Sequence, residues 1–321
     1  MMDERFDARG ARRIENGRTS WALIGGDARQ AAIAVHLRDM GFTVRTFGCG
    51  TDLPEGITRC RTPREAASGA IGILLPLPAT RDGETVFCPL EPDATVTFAE
   101  VEELLNKTTV KYLFGGNLPQ AFVCRVRAAH ASYTEDPVTV TDYTSREDVQ
   151  IHNAHITAEG AVVMAAGMIP VTLRGAHVAI LGYGRIGQQL ARLLISLGAF
   201  VTVLARRTEA LALAETNGCK TARLDADTKI LFRGFDVIMN TVPARLFDEK
   251  LLSCIDPDTL ILDLAPTPGV ADAAVARAVR EQTGLQIVPA PAIPGKYAPV
   301  SAGQVLASAV LSVWRETEVH P

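Results

Sequence analysis

From Trp21 onward, short apolar runs alternate with amphipathic stretches of helix length. The first such runs are Trp21–Ile24, Thr43–Phe47, Ala70–Leu75 and Tyr112–Phe114, bounded by Gly and Pro. A strand covered on both faces has no polar side, so runs of this kind separated by helical segments predict buried parallel strands joined by crossover helices. The chain turns polar between about Asp142 and Asn153. Thr157 to Met168, rich in Ala, Val and Met and ended before Pro170, then predicts a connecting helix. A second series follows at Val178–Leu181, Phe200–Leu204, Val237–Asn240, Thr259–Leu264 and Gln286–Val288. It predicts a second doubly wound α/β domain. Val305, Leu306, Ala309, Val310 and Val313 lie at helical spacing within Ser301–Glu316, which predicts a closing amphipathic helix packed back on the first domain. The expected division is a solvated tail over residues 1–18, a first domain over 19–152 joined by 297–321, and a second domain over 153–296.

The 321 residues are 47% hydrophobic, enough for two ordinary cores. With 32 basic against 36 acidic residues there is no broad cationic field, so nucleic acid is not an expected partner. Six cysteines without a C-x-x-C pair suggest neither a zinc knuckle nor a disulfide framework, and read as reduced thiols of a cytoplasmic protein. No run has the length of a membrane span, and the Arg-rich N-terminus lacks the apolar core of a secretory signal.

The sharpest motif is Leu181-Gly182-Tyr-Gly184-Arg185-Ile186-Gly187, set between a predicted strand and a predicted helix from Gln188 to Leu197. Gly182 suits a tight turn, Gly184 lets backbone approach a pyrophosphate, and Gly187 allows the helix to sit close to the strand. The helix N-terminus then offers N–H groups and partial positive charge to phosphate. The next strand ends Leu204-Ala205-Arg206-Arg207, with Ala where an NAD site carries an acid. Two guanidiniums and no carboxylate favour a 2′-phosphate, hence NADP(H). The plain alternative is that Arg206 and Arg207 form a solvated loop.

Further segments carry a more particular pattern: Ile24-Gly-Gly-Asp27-Ala-Arg29-Gln30, Asn153-Ala-His155-Ile-Thr157-Ala-Glu159-Gly160, Ile261-Leu-Asp263-Leu-Ala265, Pro289 to Gly295, and Ala298 to Gln304. In this order and spacing the chain resembles the family of dipicolinate synthase A subunits from about residue 20 to about 315. It departs from the family in its longer Arg-rich N-terminus and in His155. The resemblance implies a flavodoxin-like N-terminal domain beside a Rossmann domain. It also implies an enzyme of the mother-cell cytoplasm of sporulating bacteria, working with the flavoprotein-like B subunit of dipicolinate synthase. The pair would oxidise a dihydrodipicolinate-type dicarboxylate to pyridine-2,6-dicarboxylate.

Such an oxidation removes a hydride from one ring carbon and a proton from its neighbour, so the protein must hold two carboxylates, orient the ring and offer a base. Gly25, Gly26, Asp27 and Arg29, at a helix start, are candidates to hold a carboxylate, or else form only a tight turn with a surface charge. Asn153, Thr157 and Glu159 are expected to open the connecting helix, with Thr157 as N-cap and Glu159 in the first turn, with or without substrate contact. Ser301, at the last helix start, completes the candidate substrate residues. Thr241, Val242, Pro243 and Ala265 end strands that face the cofactor in this fold. Asp263, Glu159 and His155 are the acid–base candidates, Asp263 equally readable as a cap on a local turn. His152 and His155 lack a third ligand, so no metal is expected. Two other functions stay open: an NADP-binding regulatory or scaffold subunit, and a 2-hydroxy-acid dehydrogenase. The second normally uses a late histidine, and Leu264 to Gln304 contains none. A homodimer is the expected assembly.

Overall fold

Each strand of the first sheet runs parallel to its neighbour: β1 (Ser20–Ile24), β2 (Thr43–Phe47), β3 (Ile57–Arg59), β4 (Gly72–Leu74), β5 (Tyr112–Gly115) and β6 (Thr139–Asp142) lie in the order β3-β2-β1-β4-β5-β6. The chain is described here by a computed structural model covering residues 19–131, 137–224, 232–267 and 269–319, so the expected tail over 1–18 lies outside the described residues. The helices of this part are α1 (Ala28–Asp39), α2 (Pro63–Ala67), α3 (Phe98–Lys107) and α4 (Gln120–Ala131). Asp27, Thr62 and Thr97 cap the starts of α1, α2 and α3 with their side chains. Thr97 accepts from the Glu100 N–H while the Glu100 carboxylate accepts from the Thr97 N–H, a reciprocal cap on α3. Leaving out the edge strand β3, the order is that of a flavodoxin-like sheet.

After α5 (Glu147–Met168) comes a second parallel sheet: β7 (His177–Leu181), β8 (Phe200–Ala205), β9 (Lys220–Arg223), β10 (Val237–Asn240), β11 (Leu260–Asp263) and β12 (Gln286–Pro289), in the order β12-β11-β10-β7-β8-β9. This is the Rossmann order read from its far edge. Its helices are α6 (Arg185–Ser196), α7 (Thr208–Thr216), α8 (Glu249–Leu252), α9 (Ala273–Thr283) and α10 (Ile293–Tyr297), and the chain closes with α11 (Pro299–Val319). Two compact units result, one reaching Val149 and resuming at Pro299, the other Gln150–Ala298.

Within the first unit, α11 lies along α1, and Gly303 comes so near that a Cβ would meet Ala32 and the Arg29 carbonyl oxygen. Trp314 then stands edge-on to Trp21 at 6.2 Å and to Phe42 at 5.2 Å between ring centres. All three rings are buried, so the C-terminal helix supplies part of the first core. Edge-to-face geometry adds to what burial alone contributes.

Two expectations are corrected. The connecting helix begins at Glu147, not at Thr157, so the segment read as a polar link is two helical turns with Glu147 and Asp148 in the favourable first turn. Its polarity is that of one helix face, since Glu147, Asp148, Ile151 and His152 are exposed while Val149, Ala154 and Ile156 are buried. Strands β3, β6 and β9 were not predicted. They are short, only partly buried, and carry Thr, Arg and Lys, as sheet edges do.

Removing the Trp314 ring should cost the first unit about 3–5 kcal/mol. Urea unfolding of Trp314→Ala, followed by fluorescence of Trp21, measures this directly.

Candidate functional site

The glycine fingerprint sits at the C-terminal end of β7, with the ends of β10 and β8 on either side. Gly182 has φ +90, and a Cβ there would press on Thr241 Oγ1 at 2.7 Å and Val242 Cγ2 at 2.8 Å. Gly187 lies so close to the Gly182 carbonyl that a Cβ would overlap its oxygen. Gly184, the N-cap of α6, is different. Its φ of −83 suits any residue and a Cβ would meet nothing within 4 Å. Two glycines therefore serve the turn and the helix packing, while the third faces open space before a helix N-terminus, where a phosphate fits.

The surrounding loops hold this shape. Thr241 donates both its N–H and its hydroxyl to the Leu181 carbonyl, at 3.0 and 2.8 Å. Arg206 and Arg207, directly after β8, are exposed and have no carboxylate partner among the described residues. Thus Gly182, Gly184, Arg185, Ile186, Gly187, Arg206, Arg207, Thr241, Val242, Pro243 and Ala265 all lie at or just beyond the ends of four adjacent strands, β11, β10, β7 and β8. The fit to a dinucleotide with its diphosphate over α6 is good, and these are the residues that would hold it.

Asp263, offered by the sequence as a base or as a cap on a local turn, ties the loop after β11. It is 7% exposed. Its Oδ1 accepts from Asn240 Nδ2 at 2.8 Å and from the Ala265 N–H at 3.3 Å, and its Oδ2 accepts from the Val270 N–H at 2.7 Å. A buried carboxylate accepting from these three donors orders the loop after β11. Its partner Asn240, fully buried, also spans the Val242 backbone through both ends of its amide. Sequence reading overlooked Asn240 as a determinant of the loop; a polar residue closing an apolar strand was the available signal.

At the turn after β1, offered as a carboxylate cradle or a plain tight turn, the donors are engaged within the chain. The Gly25 N–H donates to the Phe47 carbonyl, the Gly26 N–H to Phe87, and the Arg29 N–H to Asp27 Oδ1. Arg29 is 6% exposed, forks onto Asp27, and also donates to the Leu77 carbonyl. Asp27 and Arg29 therefore close their own turn. Behind it, burial first and then Glu91 push the Cys88 thiol up to about 11, so it is protonated at neutral pH.

On α5, Asn153, His155, Thr157 and Glu159 lie mid-helix. Thr157 is corrected from N-cap to a helical residue whose hydroxyl donates to the Asn153 carbonyl at 2.7 Å. Glu159 is exposed, accepts from the Tyr297 hydroxyl at 3.5 Å, and lies one turn beyond half-buried His155 on the same face. Ser301 is exposed in the first turn of α11. Asp27, Arg29 and Ser301 belong to the first unit, and Asn153, His155, Thr157 and Glu159 to the second. Among the described residues, no group of three or more His, Cys, Asp or Glu is arranged for a metal, and no helix is long and apolar enough to cross a membrane.

A parallel sheet in this order, with an open glycine cradle at its switch point, defines a Rossmann nicotinamide-dinucleotide-binding domain of the oxidoreductase kind. Residues 145–286 match the family model of the NAD binding domain of D-isomer specific 2-hydroxyacid dehydrogenases, and residues 20–126 match that of the N-terminal domain of the dipicolinate synthase A subunit. The dipicolinate synthase A subunit of Bacillus subtilis is 31% identical over 302 residues, covering 93% of this chain and 97% of that protein. Crystal structures of the A subunits of dipicolinate synthase from Bacillus halodurans and Bacillus subtilis superpose with TM-scores of 0.77 and 0.76. Both are 28% identical, over 94% and 95% of this chain and 99% and 98% of theirs. The chain belongs to the family of dipicolinate synthase A subunits.

Two comparisons separate folding from binding in this site. Gly184→Ala should stay within about 1 kcal/mol of wild-type stability while weakening dinucleotide binding, whereas Gly187→Ala should destabilise by about 1–3 kcal/mol. Thermal unfolding and a nucleotide titration of both variants read this out. Asp263→Ala should cost about 1.5–3 kcal/mol by stranding buried donors; unchanged stability with lost turnover would instead return Asp263 to the role of base.

Proposed function

We propose that the protein is the NADP(H)-binding A subunit of a dipicolinate synthase, oxidising a dihydrodipicolinate-type precursor to pyridine-2,6-dicarboxylate. Its setting is the mother-cell cytoplasm during sporulation. The flavoprotein-like B subunit is its partner, and the chain itself pairs as a homodimer. The observation that carries this reading is the open space at Gly184 beside two guanidiniums, Arg206 and Arg207, without carboxylate partners among the described residues. Family membership supports the substrate class.

A bound nicotinamide supplies the hydride acceptor for this oxidation. The chain's own residues position it. The first-turn N–H groups of α6 face the diphosphate, Arg206 and Arg207 grip the 2′-phosphate, and Thr241, Val242, Pro243 and Ala265 border the nicotinamide end. With Asp263 engaged as a tether, His155 and Glu159 are the acid–base candidates of the second unit, and Asn153 its polar contact for substrate. The 2-hydroxy-acid dehydrogenase reading is weaker, because the match to that class covers its dinucleotide domain and no histidine lies between Leu264 and Gln304. The engagement of Asp263 favours one other reading, in which this protein holds NADP(H) while its partner carries the chemistry. Substrate-dependent hydride transfer by the isolated chain separates the two.

Fluorescence titration with NADPH and NADH tests the cofactor assignment. Wild type should prefer NADPH, and Arg206→Asp combined with Arg207→Ala should weaken NADPH by at least about tenfold for each guanidinium lost, with little effect on NADH. Equal NADH and NADPH affinity in wild type would overturn the NADP(H) assignment.

A further inference from the structure

Within the second unit, a cavity of about 580 Å³ lies between the loops that follow β11 and β12 and one face of α9. Its volume falls in the range of small-molecule sites, and it stands at the C-terminal ends of parallel strands, where ligands bind in open α/β sheets. Arg245, Arg277 and Arg280 line it. None of these was singled out by the sequence.

The helix explains the arrangement. In α9, positions 273, 276, 277 and 280 share one face, while Val279 is buried on the other. Ala273 and Ala276 are too small to fill the space in front of them, and Arg277 and Arg280 stand beside it. Ala265, Pro266 and Pro289 add flat apolar wall. Arg245 pairs with Asp272 at 3.4 Å, an exposed contact that contributes little. Asp272 also caps α9 by accepting from the Ala274 N–H, and the oxygens of Asp263 are held by backbone and Asn240. Arg277 and Arg280 have no carboxylate partner among the described residues, although Glu281 follows on the same helix. Like charges three residues apart on a helix repel, and an anion placed between them relieves that repulsion.

We infer that this cavity is the dicarboxylate-binding site of the protein. Arg277 and Arg280 take one carboxylate, Arg245 faces the other, and the Ala and Pro walls take the flat face of a ring. Charge-assisted pairing with guanidinium is the strong and directional way to hold carboxylates. Ala265 belongs both to this wall and to the nicotinamide end proposed for the dinucleotide cradle, so the two sites adjoin. The assignment rests on the proposed function for the identity of the ring, and it supplies the carboxylate contacts that Arg29, engaged with Asp27, does not.

The test is calorimetric titration of the full chain with pyridine-2,6-dicarboxylate, benzoate and, separately, NADPH, for wild type and for Arg277→Gln with Arg280→Gln. Both positions are exposed helix sites where Gln is well tolerated. Wild type should bind the dicarboxylate at least about tenfold more tightly than benzoate. The double variant should lose at least about tenfold in dicarboxylate affinity and keep its NADPH affinity. Wild type that binds NADPH but not the dicarboxylate, a variant that binds it unchanged, or equal binding of benzoate would each overturn the inference. Loss of dicarboxylate binding in the variant, with no nucleotide bound by wild type, would sink the NADP(H) reading and leave the cavity assignment standing.

Discussion

The close approach of Gly187 to the carbonyl of Gly182 is the constraint on which the second unit depends. A side chain at either position has nowhere to go, because one would overlap a backbone oxygen and the other would press on Thr241 and Val242. With both as glycine, α6 begins directly after the turn that leaves β7, at the switch in strand order between β7 and β10. The donors of Thr241 to Leu181 then join the end of β10 to the same point. The open space at Gly184 follows from this geometry.

The two sheets share one strand order, yet their first turns differ in what they leave free. After β1 the N–H groups of Gly25 and Gly26 are taken by Phe47 and Phe87, and the Arg29 guanidinium folds onto Asp27 and Leu77. That turn is satisfied by its own chain, as buried polar groups generally are. After β7 the space before Gly184 is open and Arg206 and Arg207 stand without carboxylate partners among the described residues. The same topology therefore gives a closed turn in one unit and a ligand cradle in the other.

Buried polar pairs shape the rest of the second unit. Asn240 and Asp263, at the ends of adjacent strands, bond to each other and to the loops that follow them. These loops carry Ala265 into the wall of the arginine-lined cavity. In the first unit the corresponding task of closing the structure falls to α11, whose Trp314 completes the cluster of Trp21 and Phe42.

The sequence by itself determined the α/β class, most of the central strands and the dinucleotide turn. Buried parallel strands need unbroken apolar runs, and the glycine spacing answers a backbone geometry that few other patterns satisfy. Val237–Asn240 and Thr43–Phe47 were legible to the residue for that reason. Tertiary structure alone decided the edge strands β3, β6 and β9, whose polar residues carry no run, and the start of α5 at Glu147, where an amphipathic helix looks like a linker until its buried face is seen. It also decided the hydrogen-bond partners of Asp263 and Arg29, and the convergence of Arg245, Arg277 and Arg280 on one cavity. Whether a charged side chain is free depends on which donors and acceptors the fold brings within about 3 Å of it, and that is a property of distant segments meeting, not of any one of them.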